Sequence, residues 1–305
     1  MEDYSDKLKK LVIASGFTQE KLASLLDVSF VTLNSWINRK SEPRDSAKEK
    51  IDLLLIDLLG ANAIENVNLK AKKLVAEKKF FLAEKLQKDQ KTLKSLAVNL
   101  TYHSNATEGS TMTLDDVEAV IYEEKVLSNR TAIEQREAVN HKAALYFVID
   151  EVSKKDFKFT PDFIKLVHLR LMNGIISNAG QVRNHGVRIQ GSRVALANYL
   201  KIPDLLEEWC SMANSKTKDN IKLFAECHAK FEKIHPFSDG NGRTGRLLLF
   251  AMALSRNLVP PILKREKRVA YYKYLELAQM FEEFDGLEMF IADSIIETAK
   301  EIAKN

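Results

Sequence analysis

Twelve residues, His235-Pro236-Phe237-Ser238-Asp239-Gly240-Asn241-Gly242-Arg243-Thr244-Gly245-Arg246, constrain this chain more than any others. They lie between two helical patterns. Before them, Phe224, Cys227, Phe231 and Ile234 recur at helical spacing, and Pro236 stops that helix. After them, a long helix is predicted from Arg243 or Thr244 through the unbroken apolar run at 247–254. The chain must therefore bend between two α-helices, and the bend ends at a helix N-terminus, where unpaired N–H groups and the helix dipole favour an anion. Gly240 and Gly242 let the backbone amides approach a phosphate. Asn241 adds a side-chain donor. Arg243 and Arg246, three apart, share one side of the first turn, and their guanidinium forks match phosphate oxygens. Asp239 suits a magnesium ion shared with phosphates. His235, at the entrance, is the residue type that takes a proton near neutral pH.

The rest reads as mostly helical. Only 11 glycines and 6 prolines occur in 305 residues, which favours helices with short connections over a strand-rich sandwich. Three regions follow: a compact helical module over 1–60, a Lys-rich connecting helix over 61–95, and the region at 96–305 that carries the chemistry. In the connecting segment, Leu74, Phe81, Leu82 and Leu86 recur at helical intervals. Thr160-Pro161-Asp162 and Thr113-Leu114-Asp115-Asp116 read as helix starts. The segment 181–191 is the one strand-like stretch, with Asn184-His185-Gly186 as turn chemistry, and predicts a β-hairpin. Arg183 and His185 read as turn residues. His168 and His228, inside apolar helical patterns, read as core histidines.

A net charge of +4 does not by itself call for a polyanionic partner. Cys210 and Cys227 form neither a disulfide framework nor a zinc motif and read as free thiols of a reducing compartment. The acidic start Met1-Glu2-Asp3-Tyr4-Ser5-Asp6 is unlike a signal peptide, and the run at 247–254 is too short for a membrane span of about 20 residues. The expectation is a cytoplasmic protein with no membrane partner.

The segment from His235 to Arg246 resembles the signature of the Fic (Fido) family, H-x-F-x-[D/E]-G-N-G-R-x-x-R, at every specified position. The likeness extends over roughly 96–295: Leu166-Val167-His168, Gly174 and Gly180-Gln181-Val182-Arg183 are similar to the family's helix and following hairpin flap, and Tyr271-Tyr272-Lys273-Tyr274-Leu275 to its Y-Y-x-x-L helix. The resemblance implies an all-α catalytic core with a small β-hairpin flap. It implies Mg²⁺-dependent transfer of AMP from ATP to a Tyr, Ser or Thr hydroxyl of a protein, the chain itself included. His235 would be the base and Asp239 the metal ligand. Gly240, Asn241 and Gly242 would cradle the α-phosphate, with Arg243 and Arg246 on the β- and γ-phosphates. Gly242 favours AMP transfer over the kinase-like branch of the family. Removal of AMP from a modified protein stays open.

Ser104-Asn105-Ala106-Thr107-Glu108-Gly109 is similar to the family's inhibitory pattern, [S/T]-x-x-x-E-[G/N]. Leu93, Leu96 and Leu100 predict a helix near 92–109 that Gly109 ends. Ser104 and Glu108 would share one face. The resemblance implies that Glu108 pairs with Arg246 and keeps the γ-phosphate from a productive pose.

At the N-terminus, Thr18 and Ser29 are natural N-caps, Asp27-Val28-Ser29 is a short turn, and Leu22, Leu25, Leu26, Leu33 and Trp36 would pack two helices together. About 45 residues resemble the helix-turn-helix of phage-repressor-like regulators. That implies DNA contacts from Gln19, Ser29, Thr32, Asn34, Arg39 and Lys40. Yet residues 1–60 hold nine Lys/Arg and ten Asp/Glu, 9 − 10 = −1, so a homodimer joining two half-sites would have to supply affinity. A protein-contact module is the competing reading. Two functions are thus weighed: a regulated AMP transferase, or a transcriptional regulator whose Fic-like domain senses nucleotide. An intact His235 favours the first, because a sensor needs no base.

Overall fold

The computed structural model describes residues 3–15, 17–59, 66–189 and 191–304. Among these the chain is helical, and the only β-pairing is an isolated bridge between Phe80 and Leu258.

Four helices form the N-terminal module: α1 (Tyr4–Ser15), α2 (Gln19–Leu25), α3 (Phe30–Ile37) and α4 (Asp45–Leu59). Thr18 Oγ1 accepts from the Lys21 N–H and Ser29 Oγ from the Thr32 N–H, so both expected N-caps are present. Leu8, Leu22, Leu26, Leu33, Trp36 and Ile51 close a small core of their own. Leu25 is 41% exposed and leaves the expected pack.

The segment expected as one connecting helix is broken. It contains α5 (Asn66–Glu77), α6 (Ala83–Lys88) and the start of α7 (Gln90–Thr107), while 61–65 fall outside the described residues. The break is stabilised from a distance: the Phe81 N–H donates to Asn257 O (2.8 Å) and the Val259 N–H to Lys79 O (2.8 Å). The basic face of α5 is not solvent-facing throughout, since Lys72 pairs with Asp293 at 2.7 Å and Lys73 with Asp219 and Glu288.

The remaining helices are α8 (Leu114–Tyr122), α9 (Ala132–Val152), α10 (Pro161–Met172), α11 (Ile202–Ala213), α12 (Asn220–Ile234), α13 (Asn241–Ser255), α14 (Arg268–Phe281) and α15 (Asp285–Ile302). Thr113 and Asp116 make the expected capping box, and Thr160 caps α10 with Pro161 in its first turn. Helix α13 is the axis of the domain. Every residue of its run at 247–254 is at most 2% exposed, because α7, α9, α10 and α12 all pack against it. A helix apolar all round is stable only when covered all round, which fixes the loop before it at the centre of the fold. Helix α14 runs beside that loop and also supports α4, joining the two cores.

The β-hairpin expected at 181–191 is not formed: its described residues make no strand pairing (Gln190 lies outside the described residues). The hydrogen bonds go to the loop between α12 and α13 instead. The Arg183 N–H donates to Pro236 O (2.9 Å). Arg183 itself is 3% exposed, not a turn residue, and its guanidinium donates to the carbonyls of His235, His185 and Ala197, each at 2.7 Å, and of Ile234 at 3.3 Å. Replacing it by methionine strands those acceptors. The Arg183→Met chain is expected to lose about 2–3 kcal/mol in urea unfolding, and an unchanged midpoint would show that water replaces the guanidinium.

Candidate active site

His235 ends α12 in the left-handed region (φ 49°, ψ 62°), which non-glycine residues rarely adopt. This turn takes the chain out of the helix while the His235 N–H still bonds Phe231 O at 2.9 Å. The ring Nδ1 lies 3.2 Å from Glu232 O. A carbonyl only accepts, so Nδ1 carries the proton and Nε2 offers its lone pair. Burial pushes the pKa of His235 below the usual imidazole value, against smaller upward pulls from the Glu232 carbonyl and from Glu108 and Asp239. The ring is a neutral base at pH 7.

The loop is held from within and from α10. Asn241 Oδ1 accepts from the Phe237 N–H and its Nδ2 donates to Phe237 O, both at 2.9 Å. The side-chain donor expected for a phosphate is therefore spent on the loop's own backbone. What Asn241 can offer an anion is its backbone amide. His168 is a core histidine as expected and also clamps the loop: Nδ1 accepts from the Gly180 N–H (2.8 Å), Nε2 donates to Asp239 O (2.9 Å), and the ring stacks on Phe237 with centroids 3.6 Å apart. Gly240 has φ +75°, and a Cβ there would lie 2.6 Å from Met172 Sδ, so only glycine fits. Because Gly240 itself is the N-cap, α13 starts at Asn241, earlier than the predicted Arg243 or Thr244, and no side chain caps it. Its first N–H groups remain for an anion.

The two arginines diverge instead of sharing a face. Arg243 Nη1 donates to Glu137 Oε1 on α9 at 2.6 Å, with Asp239 Oδ1 3.8 Å from Nη2. Arg246 turns to α7: Nε donates to Ser104 Oγ (3.0 Å), and Nη2 to Ser104 O (3.0 Å) and Glu108 Oε1 (2.5 Å). Burial raises the Glu108 pKa, but the attraction of Arg246 outweighs it and the net shift is downward, so the carboxylate is ionised. The structure thus brings Ser104, Glu108 and Arg246 together across 138 residues of sequence. Glu108 lies against the loop, since a Cβ on Gly242 would overlap its Oε1.

A cavity of about 620 Å³ opens over these groups. His235, Asp239, Gly240, Asn241 and Gly242 form its floor, Glu108 and Glu232 stand at one side, and Tyr272, Glu276 and Gln279 of α14 form the wall. Neither Arg243 nor Arg246 lines it; both are buried behind it. The Asp239 side chain is 63% exposed, and its polar contacts fall on Oδ1, leaving an oxygen for a cation. Glu137 and Glu232 have no place in the sequence reading, and Arg183 enters it only as a turn residue. Glu137 and Glu232 carry only the signal of acidic residues in amphipathic helices.

The N-terminal candidates lie away from this cavity. Ser29 and Thr32 bond each other (2.8 Å), Asn34 bonds Asn38, and Arg39 is held by Asp3 (2.7 Å) and Asp6 (3.0 Å). Gln19 opens α2, and Lys40 is exposed.

Residues 158–253 match the family model described as Fic/DOC family. The chain is 31% identical over 179 residues to "Protein adenylyltransferase Fic" of Nematostella vectensis, covering 58% of this chain and 42% of that protein. To "Protein adenylyltransferase fic-1" of Caenorhabditis elegans it is 31% identical over 183 residues, 59% of this chain and 36% of that protein. The chain thus spans less than half the length of these curated relatives. Among solved structures, residues 134–508 of Fic-1 from C. elegans superpose with a TM-score of 0.66 at 19% identity, over 99% of this chain and 97% of that one. A Fic domain containing signaling protein from Bacteroides thetaiotaomicron gives 0.64 at 19% identity, over 77% and 95%. At that identity the likeness is one of fold.

Proposed function

From the Fic domain that this chain carries over residues 158–253, we propose that it transfers AMP from ATP to a Tyr, Ser or Thr hydroxyl of a protein and releases pyrophosphate. The relatives named as protein adenylyltransferases support this reading. The observation that carries it is His235: a neutral imidazole with Nε2 free, set beside an uncapped helix N-terminus in one cavity.

The substrate oxygen attacks the α-phosphorus, the bond from phosphorus to the pyrophosphate oxygen breaks, and the hydroxyl proton passes to His235 Nε2. The amides of Asn241 and Gly242, uncapped at the start of α13, donate to the α-phosphate oxygens as charge builds there, while the Gly240 N–H is held by Asp239 Oδ1 (2.6 Å). Among the described residues no group of three or more His, Cys, Asp or Glu side chains could hold a metal. One free carboxylate oxygen on Asp239 is what a Mg²⁺ ion shared with phosphates requires. Bound there, Mg²⁺ neutralises phosphate charge. Arg246, once free of Glu108, would take the terminal phosphates. No described helix is long and apolar enough to cross a membrane. Cys210 and Cys227 are buried free thiols, which suits the cytoplasm, where we place the reaction.

The test is incubation of the full chain with Mg²⁺ and ATP labelled at the α- or the γ-phosphate, alone and in a lysate. Covalent label from the α-position only is expected. No protein label, even after the Glu108→Gly substitution, would overturn the reading.

A further inference from the structure

The cavity holds a buried carboxyl that the transfer scheme leaves idle. Glu232 lies three residues before His235 on α12, lines the cavity and is only 5% exposed. It presses against α13: a Cβ on Gly245 would overlap its Oε1, so the glycine makes the room. Oε1 has no hydrogen-bond partner, and among the described residues Glu232 forms no ion pair. The residue after Gly245 is Arg246, whose Nη1 is likewise buried without a partner. A lone carboxyl and an unfilled guanidinium donor thus share one buried region, with Glu108 as the other anion beside the arginine.

We propose that Glu232 is the positioning residue for Arg246, an internal counter-ion that seats the guanidinium when Glu108 leaves and takes up a proton when a triphosphate arrives. The idea rests on the nucleotide reading above. A buried guanidinium stripped of its carboxylate is costly. An ionised Glu232 offsets that cost during the exchange. Glu108 and a phosphate are both anions, so either of them beside Arg246 repels charge on Glu232 and favours its protonated form. Burial already pushes the Glu232 pKa up to about 7, Glu108 adds to the rise and Arg246 opposes it. The other ionisable groups around it are the same in the two chains compared below. Burial keeps Tyr271 and Tyr272 of α14 protonated, pushes His228 down to about 3 and holds His235 below its ordinary value.

The experiment is ATP binding by titration calorimetry to the full chain carrying Glu108→Gly, between pH 6 and 8, in buffers of differing ionisation enthalpy. Binding is expected to take up protons and to weaken about three- to tenfold across that range. In Glu108→Gly/Glu232→Gln the isostere of the protonated acid cannot titrate, so the uptake and the added slope should vanish. The ionisation of ATP itself is common to both chains. Equal proton uptake in the two would overturn the proposal. Should the glutamine chain unfold, Glu232→Asp keeps the acid; uptake retained there supports the proposal, and uptake lost there overturns it. None of these readouts needs AMP transfer. Protein that is labelled but binds ATP without the added slope refutes the role of Glu232 alone. Protein that shows the slope but is never labelled refutes transfer alone.

Discussion

Replacing His235 by alanine is expected to lower AMP labelling by about 10²–10⁴-fold while ATP affinity stays within about threefold. The split follows from the geometry. In the proposed reaction the phosphates are held by the amides at the start of α13 and the arginines behind them, and these do not depend on the imidazole. The imidazole is fixed by Glu232 O so that Nε2 is its free atom, and burial keeps it unprotonated. On the proposed reading, alanine removes the proton acceptor, which works only in the transition state. The backbone tolerates the change: residue 235 already sits at φ 49° as a non-glycine, and alanine forfeits one hydrogen bond, about 1 kcal/mol. His235→Asn is the companion variant, since asparagine adopts left-handed geometry more readily and still offers no base of useful pKa. Single-turnover labelling measures the first effect and calorimetry the second. Labelling that persists in both variants would remove His235 from the chemistry, and equal loss of binding would make it a nucleotide ligand.

The sequence carried the loop more fully than its surroundings. The bend between α12 and α13, the glycine at φ +75° and the N-caps at Thr18, Ser29, Thr113 and Thr160 depend on residues within a few positions of one another, so local chemistry reveals them. The failures share the opposite property. Gln181 to Ile189 has β-prone composition, yet its backbone bonds Pro236, and no neighbouring pattern announces a partner more than 50 positions away. The helix expected over 61–95 breaks because Lys79 and Phe81 meet residues 257–259. Arg243 and Arg246 have spacing that puts them on one face, but each long side chain follows its own carboxylate, Glu137 on α9 and Glu108 at the end of α7. The one long-range pairing foreseen, Glu108 with Arg246, came from family resemblance and not from spacing.

Glu108→Gly is expected to raise labelling about 10- to 100-fold without a change in the target hydroxyl. Among the described residues Arg246 has one carboxylate partner, Glu108 Oε1 at 2.5 Å, and a phosphate oxygen needs the same donor. The carboxylate also lies over the start of α13, where a Cβ on Gly242 would overlap it, so it obstructs the amides as well. A charge-assisted bond of this type is worth about 1.5–3 kcal/mol. The Glu108 side chain is 34% exposed, so solvent screening places the gain toward the lower half of that range, which sets the lower bound of the fold-change. Glu108→Gln separates the two effects: it keeps the obstruction, loses the charge and should activate less than glycine. The pH dependence has a definite sign. The folded pKa of Glu108 is depressed, so its pairing with Arg246 is present above the ordinary carboxylate range and is lost only as pH falls through the depressed value. Between pH 6 and 8 this contact therefore holds at constant strength, and any slope that Glu108→Gly acquires there belongs to another group. The substitution leaves the helix end intact, because a glycine at this position would only precede the turn that Gly109 already makes at φ +106°. The same labelling assay, run on wild type, Glu108→Gln and Glu108→Gly in parallel, checks the order. Three equal rates would show that Glu108 does not restrain this site, and a glycine chain slower than wild type would make the carboxylate a working part of the reaction.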